Sequence, residues 1–299
     1  MLIYESRFLY VVGSDNEKQV VIDICITIFN KNMNTLQLLA EKYEKPEFIN
    51  GDPSWFMHQI EGNENKELIA FIASSLSYGS RKQFLPKIQM ILDHIMLCNA
   101  EKTDGKKSAI PSPTAAREWL IKGRYKELFP NKQDSFYRLY SYQTFRTFLD
   151  ALATMVIEFG SIKNYLISTY NIGSKEKIAA IEAIDAITTW FNKHDSKGVI
   201  PKNSSSSCKR VCMFLRWMVR KDSPVDLGIW NDIIAQDSLI IPMDVHVVTE
   251  SIKMGLIKSK STSMANARKL TEELRKIFPE DPTKGDFALF GLGVDTTEE

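Results

Sequence analysis

The feature that most constrains this chain is a stripe of large apolar side chains at helical spacing, clearest over residues 144–159. There Phe145, Phe148, Leu149, Leu152, Met155, Val156 and Phe159 fall on one side of a helix turning about 100° per residue, and Gly160 ends it. So wide an apolar face has to be covered by other elements, and the neighbouring segments share its periodicity. Residues 66–78 set Leu68, Ile69, Ile72 and Leu76 on one face before Gly79, and residues 83–97 form another helix with Pro86 in its first turn. Further helices are expected over residues 35–43, from a Ser174 cap to about Asn192, and over 224–234, 245–254, 263–277 and 282–292. Strong strand signals are missing after residue 32, so the expected class is all-α, a compact multi-helix fold.

Two regions break this pattern. Residues 99–113 (NAEKTDGKKSAIPSP) are polar and rich in turn formers, and read as a surface loop. Residues 1–32 read as an N-terminal extension to a helical domain spanning 33–299. Their apolar runs LYVV and VVIDICITIF are split by charged residues and too short to span a bilayer, and a basic start and small-residue cleavage site are lacking. A β-hairpin turning at Gly13-Ser14-Asp15-Asn16 is expected there.

Charge and cysteine usage narrow the chemistry. With 38 Lys and Arg against 37 Asp and Glu the net charge is +1, so a binding site for a polyanion has to come from local clustering. The four cysteines are scattered, with Cys208 and Cys212 one helical turn apart, which fits neither a disulfide framework nor a zinc site without partners. His58, His94, His194 and His246 form no ligand-spaced pair, so neither a metal nor another cofactor is expected. A reducing cytoplasm is the default compartment and a monomer the default state.

The clustering occurs between Ser196 and Lys221, where seven basic residues stand with no Asp or Glu. In SSSSCKRVCMFLRWMVRKD, Val211, Phe214, Leu215 and Met218 occupy one helix face while Lys209, Arg216 and Arg220 stack on the other. A solvated helix face is the ordinary account of such a stripe. A phosphate-binding face is the alternative, with Ser206 and Ser207 near the helix start, where amide N–H groups favour an anion. Downstream, in DSLIIPMDVHVVT, Pro242 extends the chain and Asp244 stands where the next helix needs an N-cap. Capping is the commonest use of such an Asp, and it also leaves a carboxylate fixed in direction, able to work with a lysine.

These residues resemble a known superfamily. A helix-borne Lys followed by IIPMDVHVV is similar to the catalytic core of the helix-hairpin-helix DNA glycosylases, which include endonuclease III and 8-oxoguanine glycosylase. KELIAFIASSLSYGSRKQFLPKI similarly resembles the first helix and following loop of that fold. The chain departs from it in two places. IPKNSSSSCKR lacks the glycines of the usual hairpin before the Lys, and the absence of cysteine after Cys212 leaves no ligands for the C-terminal iron–sulfur cluster of many relatives. Across most of residues 33–293 the chain resembles still more the bacterial DUF2400 group, through KR-x-x-MFLRWMVR, DLG-x-W and DFALFGLG.

The glycosylase resemblance implies double-stranded DNA as partner and a damaged base flipped into a pocket. Lys209 would attack C1′ and form a Schiff base, and Asp244 would stabilise positive charge on the sugar. Arg210, Arg216 and Arg220 would contact phosphate with Ser206 and Ser207. Tyr78 or Arg81, in SYGSR, would enter the vacated base position, and Trp217 and His246 would line the pocket. Plain packing is the competing account of Trp217 and His246; Asp286 is expected to cap the last helix, with a second acidic role at the site as the alternative. Two other functions fit the same residues: a nucleic-acid-binding protein that kept the fold without catalysis, and a scaffold in which Lys209 and Asp244 merely pair.

Overall fold

The computed structural model describes residues 2–5, 8–11, 33–100, 112–173, 176–196, 198–203 and 205–295. In chain order these form the hairpin β1 (Leu2–Glu5) and β2 (Phe8–Val11), α1 (33–43), two short 3-10 helices (Pro46–Ile49, Pro53–His58) and α2 (Asn63–Leu76). Then come α3 (Arg81–Ala100), α4 (Ala115–Ile121), α5 (Tyr125–Leu128), a small hairpin of β3 (Ser135–Tyr137) and β4 (Tyr140–Ser141), α6 (Tyr142–Phe159), α7 (Ile162–Tyr170) and α8 (Ala180–Lys193). The chain finishes with α9 (Lys209–Val219), α10 (Val245–Lys253), α11 (Met264–Arg275) and α12 (Lys284–Asp295). The architecture is mostly helical, and no helix among the described residues is long and apolar enough to cross a membrane.

The apolar stripe of α6 forms the centre. Ser141 caps it by accepting the Thr144 N–H at 3.1 Å, Gly160 closes it at φ +87°, and Phe145, Phe148, Leu149, Leu152, Met155 and Val156 are fully buried. Phe71 of α2 joins this layer to the others, its ring lying 4.9–5.8 Å from those of Phe148 (α6), Phe191 (α8) and Phe214 (α9). α9 therefore runs through the interior, and this decides where its polar residues go.

The structure departs from the sequence reading in several places. Residues 224–234 are a succession of turns. Leu227 and Trp230 donate their N–H groups to Trp217 O and Met218 O, each at 2.7 Å, and the Asn231 side chain donates to Val219 O at 3.1 Å. The segment thus satisfies the last carbonyls of α9, a task that a helix of its own would prevent. Gly228, at φ +65°, makes the turn where a Cβ would stand 2.9 Å from Lys221 Cα. The N-terminal hairpin pairs Leu2 with Val11 and Glu5 with Phe8, so it turns earlier than expected, while Gly13–Asn16 and the Ser174 cap lie outside the described residues. α8 begins at Ala180, where the Glu182 carboxylate accepts the Ala179 N–H at 2.8 Å. β3 and β4 are strands that the sequence reading did not contain.

One buried acid holds α2 to its neighbours. Glu67 accepts the Ile162 N–H at 2.7 Å at the start of α7, the Lys163 N–H at 3.3 Å and the Trp230 indole N–H at 3.1 Å. Burial pushes its carboxyl up to about 7 despite these donors. The unfolded chain releases this proton near pH 4.5, so between there and pH 7 the native state binds more protons and Glu67 lowers stability as pH rises. Denaturant unfolding from pH 5 to 8 should show this decline, worth about 3 kcal/mol, and Glu67→Gln should flatten it. An equal slope in the variant would contradict the assignment.

Candidate active site

Asp244 is placed by a short rigid lead-in. Ile241 is buried with its N–H on Thr271 Oγ1 at 3.1 Å, Pro242 forbids helix, and Asp244 enters α10 in extended geometry as its N-cap. Its two oxygens are divided between two tasks: Oδ1 accepts the Val247 N–H at 2.9 Å, and Oδ2 accepts from Lys209 Nζ at 3.1 Å. Lys209 opens α9 after Cys208, which turns the chain at φ +47°. Its side chain is 34 % exposed and that of Asp244 14 %, so the pair is reachable from outside.

Both residues line a cavity of about 300 Å³. α9 contributes Lys209, Met213 and Arg216, the α10 entrance contributes Pro242, Asp244 and His246, and α12 contributes Asp286 and Phe290. The lining also includes Phe48, Asp52 and the SYGSR turn with Ser77, Tyr78 and Arg81. Tyr78 packs 5.1 Å from the rings of Tyr137 and Tyr140, with the Arg210 and Arg138 guanidiniums 5.3 and 5.6 Å from its centroid. Arg81 stands 3.7 Å from Asp52 and over Phe290 at 5.3 Å. His246 fits against Gly293, where a Cβ would come within 2.8 Å of its own Cβ.

Of the residues singled out in the sequence, Lys209, Asp244, Tyr78, Arg81, His246 and Arg216 thus meet around one space. The rest are placed differently. Arg216 and Arg220 are only 4 % and 2 % exposed, so the face expected to contact phosphate is an interior face. Arg216 Nε stands 3.4 Å from Asp226, and its Nη1 donates to Asp286. Arg220 reaches Asp226 at 2.5 Å, Asp281 at 2.7 Å and Glu44 at 2.8 Å. Burial pulls the Arg216 guanidinium down, but Asp226 and Asp286 outweigh it and hold it above its ordinary value. A helical wheel cannot separate a solvated cationic face from one paired with carboxylates 6 to 176 residues away.

Trp217 is fully buried and belongs to the core, not to the cavity wall. Arg210 sits behind Tyr78, donating to Ser75 O at 2.8 Å and to the Tyr140 hydroxyl. The serine segment pairs with the approach to α11: Ser207 N–H donates to Thr262 O at 3.0 Å and Met264 N–H to Ser205 O at 3.3 Å. Ser207 is buried and Ser206 exposed, and neither lines the cavity.

Asp286, read in the sequence as a cap with a second acidic role as the alternative, is brought to the cavity by the fold. It is no cap but an acid inside α12, buried at the cavity wall. The available signal was one carboxylate within the apolar string DFALFGLG. Away from this site, tertiary packing brings His94, Cys98 and Glu127 together, their donor atoms within 4.8 Å of one another. Trp119 Nε1 donates to His94 Nδ1 at 2.8 Å, which puts the ring hydrogen on Nε2, 3.2 Å from Glu127. The imidazole lone pair is already used, so this group works as a hydrogen-bond network.

A helical protein with a lysine–aspartate pair in an amphipathic cavity is the class that this geometry defines. The chain belongs to the DUF2400 family, described as a protein of unknown function, whose model matches residues 52–295. No curated protein and no solved structure matches it.

The buried pairs have a direct consequence. Arg220→Ala takes the Arg220 cation from Asp281 and Glu44, leaves Asp226 with Arg216 alone, and should lower unfolding free energy by about 3–5 kcal/mol. Denaturant melts measure this, and a midpoint within error of the parent would show that these contacts do not hold the fold.

Proposed function

We propose that this protein is a DNA glycosylase with lyase activity that acts on a damaged base, 8-oxoguanine-like, flipped from the duplex into the cavity. The observation that carries this reading is Lys209 Nζ at 3.1 Å from Asp244 Oδ2, with both side chains lining a cavity of about 300 Å³. That space suits one base, which would stack on Phe48, Phe84 or Phe290 beside the charged groups that share the lining.

The chemistry follows from the residues present. Asp244, held by the Val247 N–H, stabilises positive charge as the C1′–N bond lengthens. Lys209, as the neutral amine, adds to C1′, and Asp244 accepts a proton from the resulting ammonium. Asp244 hands that proton to O4′ as the C1′–O4′ bond breaks to give the imine, and loss of a C2′ proton to solvent then expels the 3′ phosphate with the C3′–O electron pair. Tyr78 and Arg81 line the same cavity, and an extruded nucleotide would meet them there.

A non-catalytic nucleic-acid binder would depend on the basic face of α9, of which Arg216 and Arg220 are buried and Lys209 alone is reachable. Phosphate contact falls instead to the cations near the cavity, foremost Arg81, whose side chain is 40 % exposed. Arg81→Ala should reduce the slope of log affinity against log salt by about one, read by fluorescence anisotropy on duplex DNA. An unchanged slope removes Arg81 from the interface.

The test of the chemistry is borohydride trapping on duplexes containing an abasic site or 8-oxoguanine, because reduction makes a transient imine permanent. The wild-type adduct should map to Lys209, and Lys209→Gln should abolish it while leaving binding largely intact. Asp244→Asn should slow release of the base more than it slows trapping at a preformed abasic site, where no glycosidic bond remains. An adduct mapped to another residue, or one retained in Lys209→Gln, overturns the lyase reading.

A further inference from the structure

Beneath the cavity, two guanidiniums serve four carboxylates. Asp226 touches both Arg216 and Arg220, while Asp281 and Glu44 are held by Arg220. Asp286 has only a share of Arg216, through Oδ2. Its other oxygen has no hydrogen-bond partner among the described residues, and the side chain, 7 % exposed, forms part of the wall that also carries Lys209 and Asp244. The negative charge of Asp244 lies close enough to disfavour a second carboxylate here, while Arg216 and Lys209 favour one. Of the four acids around the guanidiniums, Asp286 is the one at the cavity.

We propose that Asp286 is a second catalytic residue of this site, the general acid that hands its proton to the departing base. This rests on the glycosylase reading of the same cavity and adds a step to it. As the C1′–N bond breaks, its electron pair goes to the base. The Asp286 proton moves to a nitrogen or oxygen of that base, and Lys209 supplies the pair that forms the new bond to C1′. Asp286 is left as a carboxylate against Arg216, a stable partner for the ionised form, and recovers its proton from solvent when the product leaves. A neutral base is a poor leaving group without such a donor. A base that already carries a positive charge needs none.

Burial, with a contribution from Asp244, pushes the Asp286 carboxyl up to about 6 against the pull of Arg216 and Lys209. Its acid form is then lost as pH rises past that value. The other charged groups on the same cavity are His246 from α10, Asp52 from the head of the second 3-10 helix and Arg81 from the start of α3.

The experiment compares single-turnover base release from duplexes carrying 8-oxoguanine, hypoxanthine or uracil, all neutral leaving groups, with release of 7-methylguanine, which departs from a cationic nucleoside. In the wild type, release of the neutral bases should fall as pH rises above about 6, and release of 7-methylguanine should not. The same fall in His246→Gln assigns it away from the imidazole. Asp286→Asn, which keeps an oxygen for Arg216, should slow neutral-base release by about 10²–10⁴-fold. It should leave 7-methylguanine release and borohydride trapping at an abasic site unchanged, and intact trapping also shows that the variant folds. If the variant does not fold, the wild-type pH profiles decide alone: a flat profile for the neutral bases overturns the proposal. Equal slowing of neutral and cationic bases, or none, overturns the acid role while Lys209 trapping still stands. Loss of Lys209 trapping in the wild type removes the underlying reading as well.

Discussion

The contacts of Arg216 and Arg220 with Glu44, Asp226, Asp281 and Asp286 hold the site together. These acids come from just past the end of α1, the turns after α9, the approach to α12 and α12 itself. Taking charges out of water offsets most of what their attraction returns, so such a network is better understood through what it forbids than through net stabilisation. α9 cannot rotate or slide without leaving a guanidinium unpaired in the interior. Its first residue, Lys209, is therefore held at a fixed height and direction relative to α12.

From there the constraint passes to α10. α10 lies along α12 closely enough that His246 meets Gly293 with no room for a Cβ, while Gly291 gives Tyr43 the same close approach on another side. The two glycines of GLG thus set the distances at which α1 and α10 dock on α12. Asp244, fixed at the head of α10 by its own cap bond, meets the lysine fixed at the head of α9. The cavity lies where these two helix starts converge on the SYGSR turn, and the pair of charges at its wall follows from packing elsewhere.

Much of this was legible in the sequence, and the rest was not, for identifiable reasons. The stripe of α6, the cap at Asp244 and the stop at Gly160 are local signals, and these carried over. The pairing of Lys209 with Asp244 followed from spacing and resemblance. The fate of Arg216 and Arg220 did not, because an amphipathic helix tells which side is apolar but not whether its charged side meets water or buried acids. Residues 224–234 have helical composition, yet they serve the open end of α9, a demand invisible without the partner. Asp286 looked like a cap because an acid near a helix start usually is one. Its burial comes from Arg216, 70 residues away.

The central claim is that Lys209 and Asp244 stand in a cavity that receives a nucleotide extruded from a duplex. Amine-directed labelling with mass-spectrometric mapping tests it without depending on turnover. With a duplex containing a tetrahydrofuran abasic analogue at saturation, modification of Lys209 should be suppressed, while an unmodified duplex of the same sequence should protect it far less. Exposed lysines remote from the cavity, such as Lys122 on α4, should label equally in all samples. Unchanged labelling of Lys209 under saturating lesion duplex, with protection appearing elsewhere, would contradict the account and place the nucleic acid on a different face.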